Sequence, residues 1–473
     1  MSAERVTFYF ENRRLEARSG DTIAKTLFEA GVRTLSYSVK YKRPRGLHCA
    51  RGRCVMCHME VDGIPGVPTC ITPVADGMRV VRENFRPFFA PFLVSVARRV
   101  PFPAGFYYRM FTRPAWVRKL FLGSLRKMAG VGRVRVEPNL EGTNSKPAPA
   151  GRTPRAVYDV IVVGAGLSGL SAALEAAKIG GDVLLVDEYG QAGGHALGFH
   201  VDEELGAARD DLVAKATAHR AIHYFPRTTA QAFFAPNVLL IGPGGSVSPR
   251  HDAGAQSGVT AMHQVRAPSF VFATGAYDTI PLFENNDLPG VFGSRAARLL
   301  LDRDGVKIGS RAVVYGTGRP LHNLARYLLH HGVDVTGIVD AAPSTSVDAP
   351  LKGVRRFRDA WIAGVRGRDW VSAAAVATPD GRTTIACDLL CVAFPGQGAY
   401  ELAYQAGFPF EMSGGLPETK IMLPSVRSLQ NDHGVSFFVA GELTGETDWR
   451  AKMEHGRDAG ARAARSRQPT RKE

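Results

Sequence analysis

Four cysteines carry the clearest chemistry in the chain. Cys49, Cys54 and Cys57 stand in the spacing C-x4-C-x2-C, and Cys70 follows after a dozen residues. A [2Fe–2S] cluster needs four thiolates converging on two irons, most of them from one tight loop. Small residues let such a loop curl with its backbone N–H groups turned to the sulfurs, and Ala50 and Gly52 supply them. The alternatives are a zinc site or structural thiols. Zinc usually takes paired C-x2-C knuckles, and only one C-x2-C, Cys54–Cys57, is present. The triplet with its flanks points to Cys49, Cys54, Cys57 and Cys70 as cluster ligands. The other two cysteines, Cys387 and Cys391, lie in an apolar run and read as buried thiols. A disulfide framework is not expected, and a reducing compartment fits.

A second chemistry-bearing stretch begins at Tyr158. Tyr158–Val163 reads as a short buried strand, Gly164-Ala-Gly166-Leu-Ser-Gly169 as a turn, Leu170–Ile179 as an Ala-rich helix and Asp182–Asp187 as a strand ending in acid. In this setting Gly164 makes the tight turn, Gly166 lets backbone reach a diphosphate and Gly169 lets helix and strand close up. The helix N-terminus then faces the phosphates, and an acid at the strand tip takes a ribose hydroxyl. Asp187 is the first candidate for that acid and Glu188 the fallback.

The pattern recurs. Arg311–Tyr315 reads as a strand, Gly316-Thr-Gly318-Arg-Pro-Leu321 as a turn, Asn323–His331 as a helix and Val333–Val339 as a strand before Asp340. Leu321 replaces the third glycine and Pro320 sits where the helix begins, a position Pro tolerates. With one glycine role missing, a Rossmann shell kept for packing is favoured over an NAD(P)H site.

The elements around these motifs set the architecture. A chain of 473 residues suggests about two to four domains. Val6–Phe10 is strand-like, and Gly20–Gly31 reads as a turn and capped helix. No signal-like segment opens the sequence and no apolar run reaches the roughly 18 residues of a membrane span, so a cytoplasmic protein is expected. The net charge of +15 is concentrated. Between Arg82 and Arg135 twelve Arg or Lys face one acid, Glu83, among many aromatics. That stretch reads as a packed connector or a partner-docking surface. Nucleic acid is not expected, because no recognition motif accompanies the charge. Glu137–Arg155 is a Pro/Gly/Ser/Asn-rich linker. Lys42-Arg-Pro-Arg45, His48, Arg51 and Arg53 flank the cysteines. They read as a solvated surface, or as charge that stabilises a reduced cluster and steers an acidic partner.

The N-terminal residues resemble the β-grasp ferredoxin domain, with a final cysteine spacing like that of molybdenum hydroxylases and succinate dehydrogenases. Gly193-Gly194, Ala273-Thr274-Gly275, and Phe437-Phe-Val-Ala-Gly441-Glu442 before a helix over Arg450–Arg465 resemble the two-dinucleotide-domain flavoproteins of the glutathione-reductase type. That resemblance implies FAD in the first Rossmann unit, with NAD or another adenine nucleotide as the alternative occupant. It also implies cofactor contacts for Gly194, Thr274, Gly275, Gly441 and Glu442. His195, next to Gly194, could edge a flavin, but a lone His is more often packing or surface.

The order of ferredoxin-like domain, connector with Gly105-Phe-Tyr-Tyr108, FAD-type unit and Asp287-Leu-Pro-Gly-Val291 resembles the alpha-subunit family of heterotetrameric sarcosine oxidase. Hydrogen cyanide synthase, opine oxidases and dye-linked proline or hydroxyproline dehydrogenases have related subunits. The long C-terminal folate-binding region of the sarcosine oxidase protein has no counterpart in the sequence, so tetrahydrofolate chemistry is not implied. The resemblance implies an α/β fold: a two-dinucleotide-domain flavoprotein behind an α+β [2Fe–2S] module. The expected domains are 1–84 (ferredoxin-like), 85–155 (connector and linker), 156–300 (FAD-type, first part), 301–384 (second Rossmann-like) and 385–473 (FAD domain, second part, with the C-terminal helix). It implies an electron-transfer role beside a glycine-oxidase-like flavoprotein partner that oxidises an amine or amino acid, with a downstream electron acceptor and a small third subunit. The competing expectations are a self-contained NAD(P)H-dependent reductase and a scaffold with a structural nucleotide.

Overall fold

The structure is a computed structural model that describes residues 4–38, 42–84, 152–198, 202–244, 258–342, 351, 353–414 and 420–466, with five positions between 115 and 122. The basic connector, its Gly105–Tyr108 motif and most of the expected linker lie outside the described residues. The chain divides into two compact units. The first comprises Met1–Thr143 with two short returns, Asp287–Val291 and Val365–Ser372, and the second the remainder.

In the first unit β1 (Arg5–Phe10) and β2 (Arg13–Arg18) form a hairpin. Its two-residue turn, Glu11-Asn12, has φ of 48° and 68°. Positive φ at both positions is the turn geometry whose twist matches paired strands. Helix α1 (Ile23–Glu29) follows, its first turn capped by the Thr22 hydroxyl, which accepts from Lys25 N. Strands β3 (His58–Val61), β4 (Ile64–Pro68) and β5 (Arg79–Val81) complete a mixed sheet of order β2-β1-β5-β3-β4. Strand β5 runs parallel to β1, the pairing that a β-grasp topology requires. Alternation puts Phe8, Phe10, Leu15 and Ala17 inside, where they join buried Ile23, Leu27, Met59, Val61 and Val80.

The second unit opens with β6 (Val160–Val163), α2 (Leu167–Lys178) and β7 (Val183–Val186), then α3 (Glu203–Ala218) and β8 (Ile222–Phe225). Strand β9 is Ser269–Phe272. Helix α4 (Ser294–Arg298) precedes β10 (Arg311–Gly316), α5 (Gly318–His330), β11 (Asp334–Asp340) and β12 (Arg356–Arg358). Strands β13 (Leu389–Ala393), β14 (Ser428–Gln430) and β15 (Ser436–Val439) and helix α6 (Trp449–Ser466) follow. The first sheet has the order β8-β7-β6-β9-β15-β14, parallel except for β14. Its strands read Val-Ile-Val-Val and Val-Leu-Leu-Val because both faces are covered. One face carries α2, on which α6 packs. Gly456 and Gly460 lie so close to the Ser168 and Ala172 carbonyls that a Cβ at either would clash. The other face carries stacked Phe270, Phe272 and Phe437 with Phe233 set edge-on.

A second sheet of five strands, in which β13-β10-β11-β12 run parallel in that order, is inserted in the first. Sequence boundaries and observed ones differ here. Leu389–Ala393 pairs with β10, so it belongs to the second sheet rather than to an FAD half beginning at residue 385. The chain crosses between the two sheets at an antiparallel pair, Ala276↔Gly398 and Tyr277↔Gln397. Helix α5 starts at Gly318, earlier than the pattern suggests, with Pro320 in its first turn where no N–H is needed.

Candidate cofactor sites

The β3–β4 hairpin explains how twelve residues suffice between the last two cysteines. Cys57 precedes β3 and Cys70 follows β4, and Thr69 Oγ1 donates to the Cys57 carbonyl at 2.7 Å. Both of these cysteines are buried, while Cys49 and Cys54 are partly exposed. The loop from 49 to 57 turns through left-handed backbone at Ala50, Gly52 and Val55. A Cβ on Gly52 would stand 2.6 Å from Ile71 Cδ1, so glycine is required there on two counts. Arg51 N–H points at Cys49 Sγ (3.4 Å) and Gly52 N–H at Cys70 Sγ (3.1 Å). The Cys49 sulfur contacts those of Cys54 and Cys70, and Cys70 contacts Cys57. Hydrogen bonds from neighbouring thiols hold Cys49 and Cys57 below the usual thiol range and push Cys54 and Cys70 above it. Four converging sulfurs cannot all ionise without cations among them. With backbone N–H groups aimed at them, they fit an iron–sulfur cluster.

The basic flank is neither simply solvated nor simply steering charge. Arg43 Nη1 lies 3.1 Å from Asp287 Oδ1 and Arg45 Nε 3.9 Å from Oδ2. His48 Nδ1 stands 3.1 Å from the Val291 carbonyl. Lys42 is buried, which lowers its pKa. The Arg33 guanidinium stacks 3.7 Å from the Phe28 ring centre, and Trp370 meets Phe28 edge-on. Asp287–Val291 and Val365–Ser372 thus dock on the ferredoxin-like fold through charge and aromatic contact.

The first glycine turn separates its three roles sterically. A Cβ on Gly164 would collide with the Ala273 carbonyl, and one on Gly169 with the Gly164 carbonyl. At Gly166 the nearest atom is Gly194 Cα, 4.0 Å away, so this position is open. Gly193 N–H donates to Ala165 O at 2.8 Å and sets the Gly193-Gly194 turn against the cradle. Thr274 Oγ1 donates to Ala399 O (2.6 Å) and Gly275 O accepts from Ala399 N (2.9 Å). These two residues stitch the crossing strands.

Asp187, the first candidate for the ribose, has its carboxylate engaged by backbone N–H groups. Strand β7 ends at Val186, and the Asp187 carboxylate, 9% exposed, turns inward. It accepts from Ala165 N (2.6 Å) and Tyr189 N (2.8 Å), so it braces the glycine turn. Glu188, the fallback, follows β7 and is half-buried.

Glu442 is the hub of a buried charge cluster. Its Oε2 lies 2.6 Å from His195 Nδ1 and 3.4 Å from Arg295 Nη2, and its Oε1 2.5 Å from Lys452 Nζ. Burial alone would raise its pKa, but His195, Lys452 and Arg295 hold the carboxyl well below the ordinary range. Arg295 also pairs with Asp278 (3.1 Å), which caps α4 by accepting from Arg295 N and Ala296 N. Gly441 has φ +74° and approaches Ser168 in the first turn of α2 too closely for any side chain. The cluster therefore borders the helix N-terminus where a diphosphate would lie.

Residues 3–84 match the family described as a 2Fe-2S iron-sulfur cluster binding domain, and residues 159–230 that described as an FAD dependent oxidoreductase. The chain is 30% identical over 404 residues to the alpha subunit of sarcosine oxidase from Rhizobium meliloti (strain 1021), covering 82% of this chain and 39% of that protein. It is 29% identical over 209 residues to the A-type subunit of opine oxidase from Agrobacterium tumefaciens (strain Ach5), covering 42% and 40% respectively. The chain is thus similar in sequence to subunits of sarcosine oxidase and opine oxidase. It spans about two fifths of the length of these relatives. The crystal structure of L-proline dehydrogenase from P. horikoshii has the same fold, with a TM-score of 0.63 at 20% identity over 98% of this chain and 73% of that one. Among the described residues no helix is long and apolar enough to cross a membrane.

The second glycine turn is informative as well. Leu321, at the third glycine position, is fully buried and fills the space between helix and strand. Asp340, the acid that would meet a ribose, is 3% exposed and bound to Arg356 Nη2 at 2.6 Å and to Ala342 N at 3.2 Å. Both observations favour the packing role.

Sequence reasoning misses Asp278, Arg295 and Lys452. No local motif marks them, because four separate segments supply one cluster. The one available signal is Glu442 itself: an acid expected beside an anionic diphosphate needs cations nearby.

Proposed function

We propose that this chain is the electron-transfer component of a heteromeric FAD/[2Fe–2S] amine or amino-acid dehydrogenase or oxidase. A glycine-oxidase-like partner protein oxidises a CH–NH donor at its own flavin, and this chain carries the electrons to a downstream acceptor. The observation that carries the reading is the joint presence of a four-sulfur loop and an open dinucleotide cradle, beside a second turn whose acid is locked to Arg356.

When bound, FAD accepts electrons in pairs and releases them singly, and a [2Fe–2S] cluster takes one at a time, which is a physical reason for one chain to hold both. The residues divide the work accordingly. Cys49, Cys54, Cys57 and Cys70 hold the cluster, and the N–H groups of Arg51 and Gly52 offset negative charge on the sulfurs. Gly164 and Gly169 shape the cradle, Gly166 and Gly194 admit the diphosphate, and Glu188 binds the ribose. His195, Arg295 and Lys452 engage Glu442, and Arg295 also engages Asp278, so the acids of the cluster are paired and the positive end of the α2 dipole favours an anion at its N-terminus.

The test is anaerobic reconstitution. The purified chain is mixed with its co-expressed flavoprotein partner, and sarcosine or L-proline is added as the donor. Bleaching of this chain's cluster absorbance only when partner and donor are both present supports the relay. Partner flavin that is reduced while the cluster stays oxidised contradicts it.

A further inference from the structure

The outer edge of the first dinucleotide sheet holds two features with no role so far. Arg227, in the turn leaving β8, has φ +48°, a left-handed backbone that a side chain disfavours. Three backbone hydrogen bonds keep it there: Arg227 N to Tyr189 O (2.9 Å), Thr228 N to Asp187 O (2.8 Å) and Asp187 N to Phe225 O (3.1 Å). A strained residue held by its surroundings points to function. Its side chain lies across Gly190, where a Cβ would stand 2.9 Å from Arg227 Nε. Glycine at 190 is what allows the guanidinium to cover the loop that bears Glu188. On the neighbouring strand, Tyr224 is paired with Leu185 and so faces the same side of the sheet as Asp187. The Tyr224 hydroxyl is buried and has no hydrogen-bond partner among the described residues. Burial, reinforced by the Asp187 charge, raises its pKa and keeps it a neutral donor.

In a Rossmann unit the diphosphate lies at the helix N-terminus and the ribose at the acid after the second strand. The base then falls beyond that acid, toward the third strand. In this sheet the third strand is β8, and the turn that follows it carries Arg227. We propose that Arg227 is an adenine-contacting residue, its guanidinium covering one face of the adenine ring of the dinucleotide beside Glu188. The proposal rests on the nucleotide reading of the first site and names a residue that reading does not include. The unused Tyr224 donor at the same edge is consistent with an adenosine seated there.

The test uses the full chain, titrated with ADP by calorimetry as wild type, Arg227→Gly and Arg227→Lys, together with the nucleotide-free thermal midpoint. Arg227→Gly removes the strain with the side chain, so its midpoint is expected to hold or rise. Its ADP affinity is expected to fall roughly five- to thirtyfold, the range of a desolvated cation–π contact. Arg227→Lys keeps the charge and loses the plane. A comparable loss in this variant supports ring stacking, whereas full affinity points to simple phosphate attraction and overturns it. Wild-type affinity in Arg227→Gly also overturns the proposal. Failure of wild-type protein to bind either ADP or FAD removes the underlying nucleotide reading instead, a result told apart without any variant.

Discussion

Glu442 and His195, 247 residues apart in sequence, meet at 2.6 Å between Oε2 and Nδ1, with Lys452 on the other carboxylate oxygen. The carboxylate is charged in the folded protein because cations surround it, and its removal leaves those cations buried without their counter-charge. Glu442→Gln should therefore destabilise the second unit by about 3–5 kcal/mol. Chemical denaturation at pH 7 measures it, and a loss below about 1 kcal/mol would contradict the cluster's role.

The same group predicts a pH dependence. Its folded pKa lies well below the ordinary value of 4.5. A depressed carboxylate contributes stability that is complete above the unfolded pKa and is lost as pH falls through the folded one. Stability should thus decline below about pH 4.5 in wild type, with a shallower decline in Glu442→Gln. Denaturation midpoints at neutral pH and at steps down through the acid range compare the two proteins.

The three glycines of the first turn should behave differently. Gly169→Ala drives a methyl into the Gly164 carbonyl and should cost more than about 2 kcal/mol of stability. Gly166→Ala meets open space at an extended backbone, so it should fold within about 1 kcal/mol of wild type. It should nevertheless lose at least about tenfold in nucleotide affinity, because its methyl occupies the diphosphate's approach. Equal affinity in Gly166→Ala would move the nucleotide away from this turn.

Much of this is legible in sequence where the information is local. The cysteine triplet, the glycine turns and the alternating or all-apolar strands each lie within a dozen residues, and their spacing carries their geometry. Side-chain direction and distant pairing are not legible in the same way. Asp187 looks like a ribose ligand because it ends an apolar run, but the strand stops one residue earlier and the carboxylate turns back to Ala165 N. Lys42–Arg45 looks like a surface charge run because its partner Asp287 is more than two hundred residues away. Leu389–Ala393 falls to the wrong sheet on sequence alone because an all-buried strand reads alike in either.

Asp287 offers its own check. Arg43 and Arg45 both address it from the partly exposed flank of the cysteine loop, so Asp287→Asn should cost about 1 kcal/mol, less at high salt. Limited proteolysis at the Asp287–Val291 segment should quicken, while ADP affinity stays unchanged. An altered ADP affinity would show that the Asp287 contact does more than dock its own segment.

Cysteine substitutions separate ligands from bystanders. Serine at Cys49, Cys54, Cys57 or Cys70 should each lower iron content and the broad visible absorbance severalfold. Cys387→Ser, at a buried thiol of the second unit, should leave iron content unchanged. Iron retained in Cys57→Ser and Cys70→Ser would remove the hairpin from the cluster site.

The most direct measurement is the visible spectrum of the purified, cofactor-loaded chain under anaerobic conditions, taken before and after NADH and NADPH and then after dithionite. The relay account predicts no change with either nicotinamide nucleotide and full bleaching with dithionite. Bleaching by NADH or NADPH in the absence of any partner would contradict it and make the chain a reductase in its own right.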